Sequence, residues 1–414
     1  QLAEPWRGRL LLQATSLLDD LRTLLPDGAG DEEAPPALRD APGATALLAR
    51  QAALAEAALA RFEAMDFSFL YDTQRRIFVI GYSIAEARRD NSFYDLLASE
   101  ARLSSFLAIA KGDVPQEHWF HIGRTLLDSG VGPVLASWSG TMFEYLMPLL
   151  FMRSYSGTLL DDTCRVAVAR QIQYGRQQQV PWGVSESAYN ARDPAMNYQY
   201  RAFGVPRLGL KRGLGSDLVI TPYATALALP VAPRAALDNL IALLELGMNG
   251  AYGLYEAIDY TIDRLPPGSS HAIVRSFMVH HQGMSLLAFA NYLCGDGMPA
   301  RLHAEPIVQA AEMLLQERVA GAAPLFRPNE AAEARTIVVA AQPATRQFTT
   351  PATPVPYTQI LSNGSYSVML TNAGGGFSAT PDLAVTRWRS DVARDDWGTF
   401  FYIRDVRSDM TWSA

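Results

Sequence analysis

A mainly α protein is the fold class the residue order predicts: a toroid of helical hairpins, between an N-terminal helical segment and a C-terminal β-rich segment. Three observations predict it. Apolar residues recur at helical spacing over roughly residues 1–322, which marks amphipathic helices. The aromatic, Gly, Asn and acidic residues gather in the connections between those segments, where functional groups tend to sit. After Pro324 the texture changes to Thr, Val, Tyr and Gly with apolar and polar residues alternating, the mark of strands.

Residues 1–66 hold two Ala/Leu-rich helical patterns split by PDGAGDEEAPPALRDAPG, whose prolines, glycines and acids predict an exposed connector. The second helix is expected from Ala44 to about Met65. A catalytic domain over 67–322 opens with FSFLYDTQRRIFVIGY and continues with helix-type segments. These are Phe93–Ala110, Trp119–Asp128, Tyr145–Phe151, Leu159–Gly175, Pro222–Leu229, Pro233–Gly247, Ser270–Leu293 and Pro306–Arg318. Some ten helices in about 250 residues, with long connections, suit a toroid whose loops share one mouth; a plain bundle has blander turns. Residues 323–414 read as a linker and β-rich segment, with strands expected near Ser365–Thr371 and Phe400–Arg404 around the Asn363-Gly364 turn signal and the glycines at 374–376.

The 414 residues, 49% hydrophobic and 19% charged, suffice for a sizeable core. A net charge of −7 without blocks of like charge gives no support for nucleic-acid binding. Cys164 and Cys294 lack any paired spacing, so neither a disulfide framework nor a zinc cluster is expected. GLKRGLG at 209–215 lacks the order of a phosphate loop, and no GxSxG elbow occurs; no cofactor and no metal are expected. No apolar run is long enough to span a bilayer, and the start at Gln1 shows no signal-peptide pattern. The chain reads as a piece of a larger protein.

Two stretches carry the chemistry. PWGVSESAYN (Pro181–Asn190) and GLYEAIDYT (Gly253–Thr261) each set a glutamate, Glu186 and Glu256, among aromatic and small polar residues. Rings stack on the apolar faces of sugars, and paired carboxyls protonate a leaving oxygen or attack the anomeric carbon. The alternative for each is a helix cap or an ion pair with Arg192 or Arg207. Asp259, three residues after Glu256, stands as an orienting or substitute acid. Glu144, between Phe143 and Tyr145, is a further candidate, its alternative being a first-turn acid favoured by the helix dipole. Trp138, Trp182, Tyr189, Tyr198, Tyr200 and Tyr255 are candidate stacking platforms. Arg192 is a candidate donor to sugar hydroxyls, as are Arg201, Lys211 and Arg212. His280, His281 and Gln282 lack metal-site spacing, because neighbours on a helix point about 100° apart; at most one is expected to face the site. Asp90 or Asn91 is expected to cap the helix that follows, with Tyr94 or Asp95 in the site as the alternative.

FYDLLASEARLSSFLAIAKGDVP, SWSGTMFEYLMP, YQYRAFGVPRLGLKRGL, YEAIDYT and VHHQGMSL, in that order, together resemble the glycoamylase-like transglycosylase domain of bacterial cyclic β-1,2-glucan synthases over about Phe67–Val319. NGSYSVMLTNAGGGFS and DDWGTFFYIRD resemble the start of the phosphorylase-like β-sandwich that follows in those synthases. The resemblance implies an (α/α)6 toroid that cleaves linear β-1,2-glucan with retention and closes it into a ring. A related family with this toroid hydrolyses the same glucan endolytically, and a non-catalytic glycan-binding module is the reading from another class. By motif position Glu186 is expected as general acid/base and Glu256 as nucleophile, the reverse assignment remaining open. The implied partners are linear β-1,2-glucan and the glycosyltransferase and phosphorylase-like domains of a larger synthase. The implied location is the cytoplasmic face of the bacterial inner membrane.

Overall fold

The computed structural model describes residues 14–20, 22, 43–193, 196–266, 268–318, 324–326, 348–388 and 397–413. Most of the expected connector at 26–43 and the RTIVVAAQPATRQ stretch lie outside the described residues. The chain divides into two compact units. One comprises Gln1–Asp95, Leu103–Gly123 and Ile307–Ala311; the other comprises Leu96–Arg102, Arg124–Pro306 and Glu312–Ala414.

In the first unit the helix Ala44–Ala64 stands where expected, with Leu48, Leu54 and Leu59 exposed. Two short hairpins follow, Tyr71–Asp72 with Ile77–Phe78 and Tyr82–Ser83 with Arg88–Arg89. Phe78, Ala108 and Val114 form a small core, flanked by Phe67, Leu70, Tyr71 and Tyr94. The helix expected from Phe93 begins only at Arg102. The Tyr94 N–H donates to the Phe78 carbonyl at 2.9 Å and Val79 bridges Phe93, so pairing with a strand overrides the local helical pattern. Asp90 therefore caps no helix; its carboxylate accepts the Ser92 N–H at 2.9 Å within a turn.

The second unit is built around the helix Pro222–Leu227, buried along its whole length. It packs against the helices Met142–Leu146, Pro233–Glu245 and Val279–Leu293. Pro222 in the first turn starts this helix without an N–H to satisfy. The helix Leu159–Gln178 is held by Thr158 at its N-terminus and by Gln179, left-handed at φ 58°, at its C-terminus. Leu127, Leu135, Met142, Tyr145, Leu146, Leu208 and Leu243 are fully buried. The Tyr145 hydroxyl lies 2.8 and 2.7 Å from the carbonyls of Leu135 and Leu208, which satisfies its one polar atom in that core.

The expected helix Ser270–Leu293 is instead a strand, Ala272–Val274, and then a helix from Val279. Ile273 and Val274 are β-branched and pair with Ala257–Asp259, which in turn pairs with Val219–Ile220. Likewise the stretch from Trp119 is a helix only through His121, then the strand Leu126–Asp128. Both glutamate stretches, expected as loops, run into strands: Ser187–Arg192, paired with Tyr198–Arg201, and Ala257–Asp259.

In the tail, Thr358–Ser362, Ser367–Thr371 and Gly376–Ala379 form an antiparallel meander. The Asn363 side-chain oxygen closes the expected turn by accepting the Tyr366 N–H at 2.8 Å. Tyr402–Arg404 pairs with Thr411–Ser413. Among the described residues no helix is long and apolar enough to cross a membrane.

Candidate active site

Glu186 lies immediately before the hairpin of Ser187–Arg192 and Tyr198–Arg201. In that hairpin Ala188 faces Tyr200 across the strands. Residues two apart share a strand face, so Glu186 and Tyr200 come together, near enough for the Tyr200 hydroxyl to pull the Glu186 pKa down. Glu186 is half-buried, and its pKa is pushed up to about 7, first by burial and then by the charges of Glu100 and Glu144, against the Tyr200 hydrogen bond. A carboxyl that keeps its proton to neutral pH is what a general acid requires.

Glu256 is 1% exposed. Its Oε1 accepts the Ala188 N–H at 3.2 Å and lies 2.8 Å from His281 Nδ1, while Oε2 is buried with no hydrogen-bond partner among the described residues. The His281 ring stacks on Tyr223 at 3.8 Å, and its Nε2 lies 3.4 Å from the Tyr200 hydroxyl. Tyr223 in turn donates to the Glu186 carbonyl at 3.0 Å. Glu256 also lines a cavity of about 240 Å³ together with Tyr252, Tyr255, Gln282 and Phe289.

Glu144 takes the alternative place. It forms a capping box with Thr141 at the start of Met142–Leu146 and accepts the N–H groups of Trp138, Ser139 and Thr141 and the hydroxyls of Ser137 and Thr141. Burial raises its pKa while those hydrogen bonds oppose the rise. Asp259 orients no glutamate. Fully buried, it holds Arg264 at 2.8 Å and accepts the N–H groups of Asn190 and Thr261, and Arg264 also pairs with Asp217.

The ring candidates separate by burial. Trp138 is 61% exposed and Tyr200 39%, each with ring surface to offer. Trp182 is 7% exposed and belongs to the core, where its backbone N–H donates to the Asn239 side-chain oxygen at 3.1 Å, so it is no platform. The Tyr189 ring is covered by the Arg264 guanidinium at 4.9 Å and the edge of Phe203 at 5.4 Å. Arg192 lies over the half-exposed Tyr198 ring at 4.6 Å. Tyr255 leans on Phe277. Of the three residues at 280–282, His281 joins Glu256, Gln282 donates to the Leu254 carbonyl at 2.9 Å, and His280 stands largely exposed, its pKa lowered by its remaining partial burial and then by His281. Arg201 is paired with Asp217 at 2.7 Å.

Glu100 did not stand out in the sequence. It lies in the ASEARL run, where an acid in a helical pattern reads as a solvated face. Arg102, two residues on, is buried and donates to the Glu144 carbonyl at 2.9 Å and to the Tyr145 carbonyl at 2.5 Å. That anchor ties the segment of Glu100 to the helix of Glu144, and Glu100 is the largest charged influence on Glu186. Tyr223, between Glu186 and His281, was missed because PYATAL reads as core. Among the described residues no three His, Cys, Asp or Glu side chains are grouped to hold a metal ion.

A family model described as a putative glucoamylase matches residues 92–303, just over half of the chain. A second, the supersandwich domain of glycosyl hydrolase 94, matches residues 341–414. A cyclic β-(1,2)-glucan synthase from Rhizobium meliloti (strain 1021), NdvB, is 43% identical over 409 residues. That alignment takes in 98% of this chain and 14% of the synthase, so the chain spans about a seventh of the relative's length. Among solved structures, an endo-β-1,2-glucanase from Chitinophaga pinensis in complex with sophorotriose and glucose is 18% identical, with 67% of this chain and 66% of that one covered and a TM-score of 0.49. A putative glucoamylase from Bacteroides caccae is 16% identical over the same shares, with a TM-score of 0.47. The chain thus belongs to the putative glucoamylase family and is similar along nearly its whole length to a segment of a cyclic β-1,2-glucan synthase.

Proposed function

We propose that the chain is the transglycosylase unit of a larger multidomain synthase and closes linear β-1,2-glucan into a ring on an (α/α)6 toroid. The observation that carries the reading is Glu186, a half-buried carboxyl with a pKa of about 7 near the part-exposed Tyr200, in a chain similar to a cyclic β-1,2-glucan synthase. Protonated Glu186 gives its proton to the glycosidic oxygen as that bond breaks. A second carboxylate attacks the anomeric carbon and holds the glycosyl group, and Glu186, now ionised, removes the proton of the hydroxyl that displaces it. With the glucan's own non-reducing end as acceptor the product is a ring; with water it is a shorter chain.

Glu256 was expected as the nucleophile. Its buried carboxylate, tied to His281 and the Ala188 N–H, supports a positioning role, and the charge of Glu100 acting on Glu186 supports Glu100 as the second carboxylate. In this reading the unit works within a synthase attached to the inner membrane, on its cytoplasmic side.

Incubation with linear β-1,2-glucan, followed by mass spectrometry, is expected to give products lighter by one water than the linear chains. Linear products alone would favour the endo-glucanase reading, and binding without turnover in both wild type and Glu186→Gln would favour a glycan-binding module. Trapping with a fluorinated β-1,2-linked donor and peptide mapping should place the label on Glu100; a label on Glu256 restores the original assignment.

A further inference from the structure

We infer that Ser99 positions the attacking carboxylate: its hydroxyl holds one oxygen of Glu100, Oε2, and leaves the other, Oε1, to form the bond to the anomeric carbon. The inference rests on Glu100 as the second carboxylate. Of Glu100, Glu144 and Glu256, only Glu100 is not buried. Both oxygens of Glu144 are engaged by the turn it caps, whereas the Glu100 carboxylate accepts the Ser99 hydroxyl on Oε2 at 3.2 Å and no other hydrogen bond among the described residues. A serine hydroxyl has one proton to give. Here it goes to Glu100, while the same oxygen accepts the Ala101 N–H at 3.2 Å. A helix cap needs only the acceptor half of this arrangement; the donor half is directed at Glu100.

The loop that carries both residues is fixed from outside. Arg102 is buried and donates from Nη1 to the carbonyls of Ser99 at 3.0 Å and Glu144 at 2.9 Å, and from Nη2 to that of Tyr145 at 2.5 Å. A guanidinium holds several acceptors in one rigid plane, so Ser99 cannot shift without breaking its tie to the helix Met142–Leu146. That helix also takes the segment of the other carboxyl: its Phe143 N–H donates to Ser185 Oγ at 3.1 Å, next to Glu186. Both segments are thus referred to one short element, which suits a reaction whose two carboxyls must stand a fixed distance apart, about 5–5.5 Å where configuration is retained. In the first step the bond from Oε1 to the anomeric carbon forms as the glycosidic bond breaks, and the leaving oxygen takes the Glu186 proton. Oε2 becomes the carbonyl oxygen of the glycosyl ester and still accepts the Ser99 O–H. In the second step the incoming hydroxyl loses its proton to Glu186 and bonds to the anomeric carbon, and the ester bond breaks to return the Glu100 carboxylate.

Kinetics and trapping on the wild-type chain and two variants test this. Ser99→Ala should lower kcat for linear β-1,2-glucan about tenfold with KM within about twofold, the mark of a misdirected nucleophile rather than of weaker binding. With the fluorinated β-1,2-linked donor, the same variant should label about tenfold more slowly, the label still falling on Glu100. Ser99→Thr keeps the hydroxyl and should stay within about threefold of wild type in both measurements. The labelling rate constant is read on the molecules that react, so a smaller folded fraction does not mimic the loss. Wild-type rates in Ser99→Ala, or equal slowing in the alanine and threonine variants, overturn the positioning role and leave Glu100 as nucleophile. A label on another residue in the wild-type chain removes Glu100 as the second carboxylate, and the role of Ser99 with it.

Discussion

Glu186 shows how one side chain's environment decides its chemistry. Its neighbours in sequence, Ser185 and Ser187, are small and buried, and the charges acting on it come from Glu100 and Glu144, both distant in sequence. Ionisation costs more in the folded state than in the unfolded chain, where the usual value is 4.5. The folded protein is therefore at full stability below that pH and loses some as pH rises towards 7, the penalty staying constant above. Glu186→Gln removes this penalty. It should melt about 2 °C or more above wild type at pH 8 and match it at pH 4, by calorimetry, while glucan turnover falls by about a thousandfold. An equal shift at both pH values would assign the gain to packing rather than to the charge. The glutamates stood out in the sequence because of their aromatic company; Glu100 did not, because only folding reveals which acid faces which.

At the scale of elements, the strand Ala257–Asp259 places two acids with different jobs. Glu256 ends in the carboxylate and histidine cluster, whereas Asp259 joins Arg264, Asp217 and Arg201 under the hairpin that carries Glu186. Removing one partner of such a buried network leaves an uncompensated charge, which costs about 3–5 kcal/mol. Asp259→Asn should thus lower the unfolding free energy by about that amount in urea, with turnover per folded molecule reduced far less than in Glu186→Gln. Loss of turnover with stability intact would return Asp259 to the catalytic group. The aromatic and acidic composition of YEAIDYT was legible; that Asp259 belongs to a salt-bridge network was not, because Arg264, Asp217 and Arg201 meet through three different connections.

For the molecule as a whole, what brings the second unit's segments together is close backbone approach. A Cβ on Gly204 would lie 1.6 Å from the Ser139 carbonyl oxygen, and one on Gly209 would lie 2.6 Å from the Gly140 nitrogen. The turn at Trp138–Gly140, which feeds Glu144, therefore lies directly against the FGVPRLG run, and only glycine allows it. Gly204→Ala should destabilise the chain by about 3 kcal/mol or more, as backbone cannot yield the way a side-chain tip does, and chemical denaturation checks this. A wild-type midpoint would mean that the turn can move aside. The glycines were visible as part of a motif, but their partners lie some 65 residues away.

The sequence by itself determined the mainly helical class, the helices Ala44–Ala64, Leu159–Gln178, Pro222–Leu227 and Pro233–Glu245, the β-rich tail and the two glutamate stretches. These follow from local periodicity, caps and composition, which act within a few residues. Tertiary structure decided that residues 93–101 are not helical, that 272–274 form a strand, that Trp182 is core and that Glu144 is a cap. It also decided which carboxyl is half-buried beside a tyrosine and which is sealed against a histidine. Burial, charge proximity and strand pairing depend on groups tens of residues apart, and a linear pattern holds no distance between them.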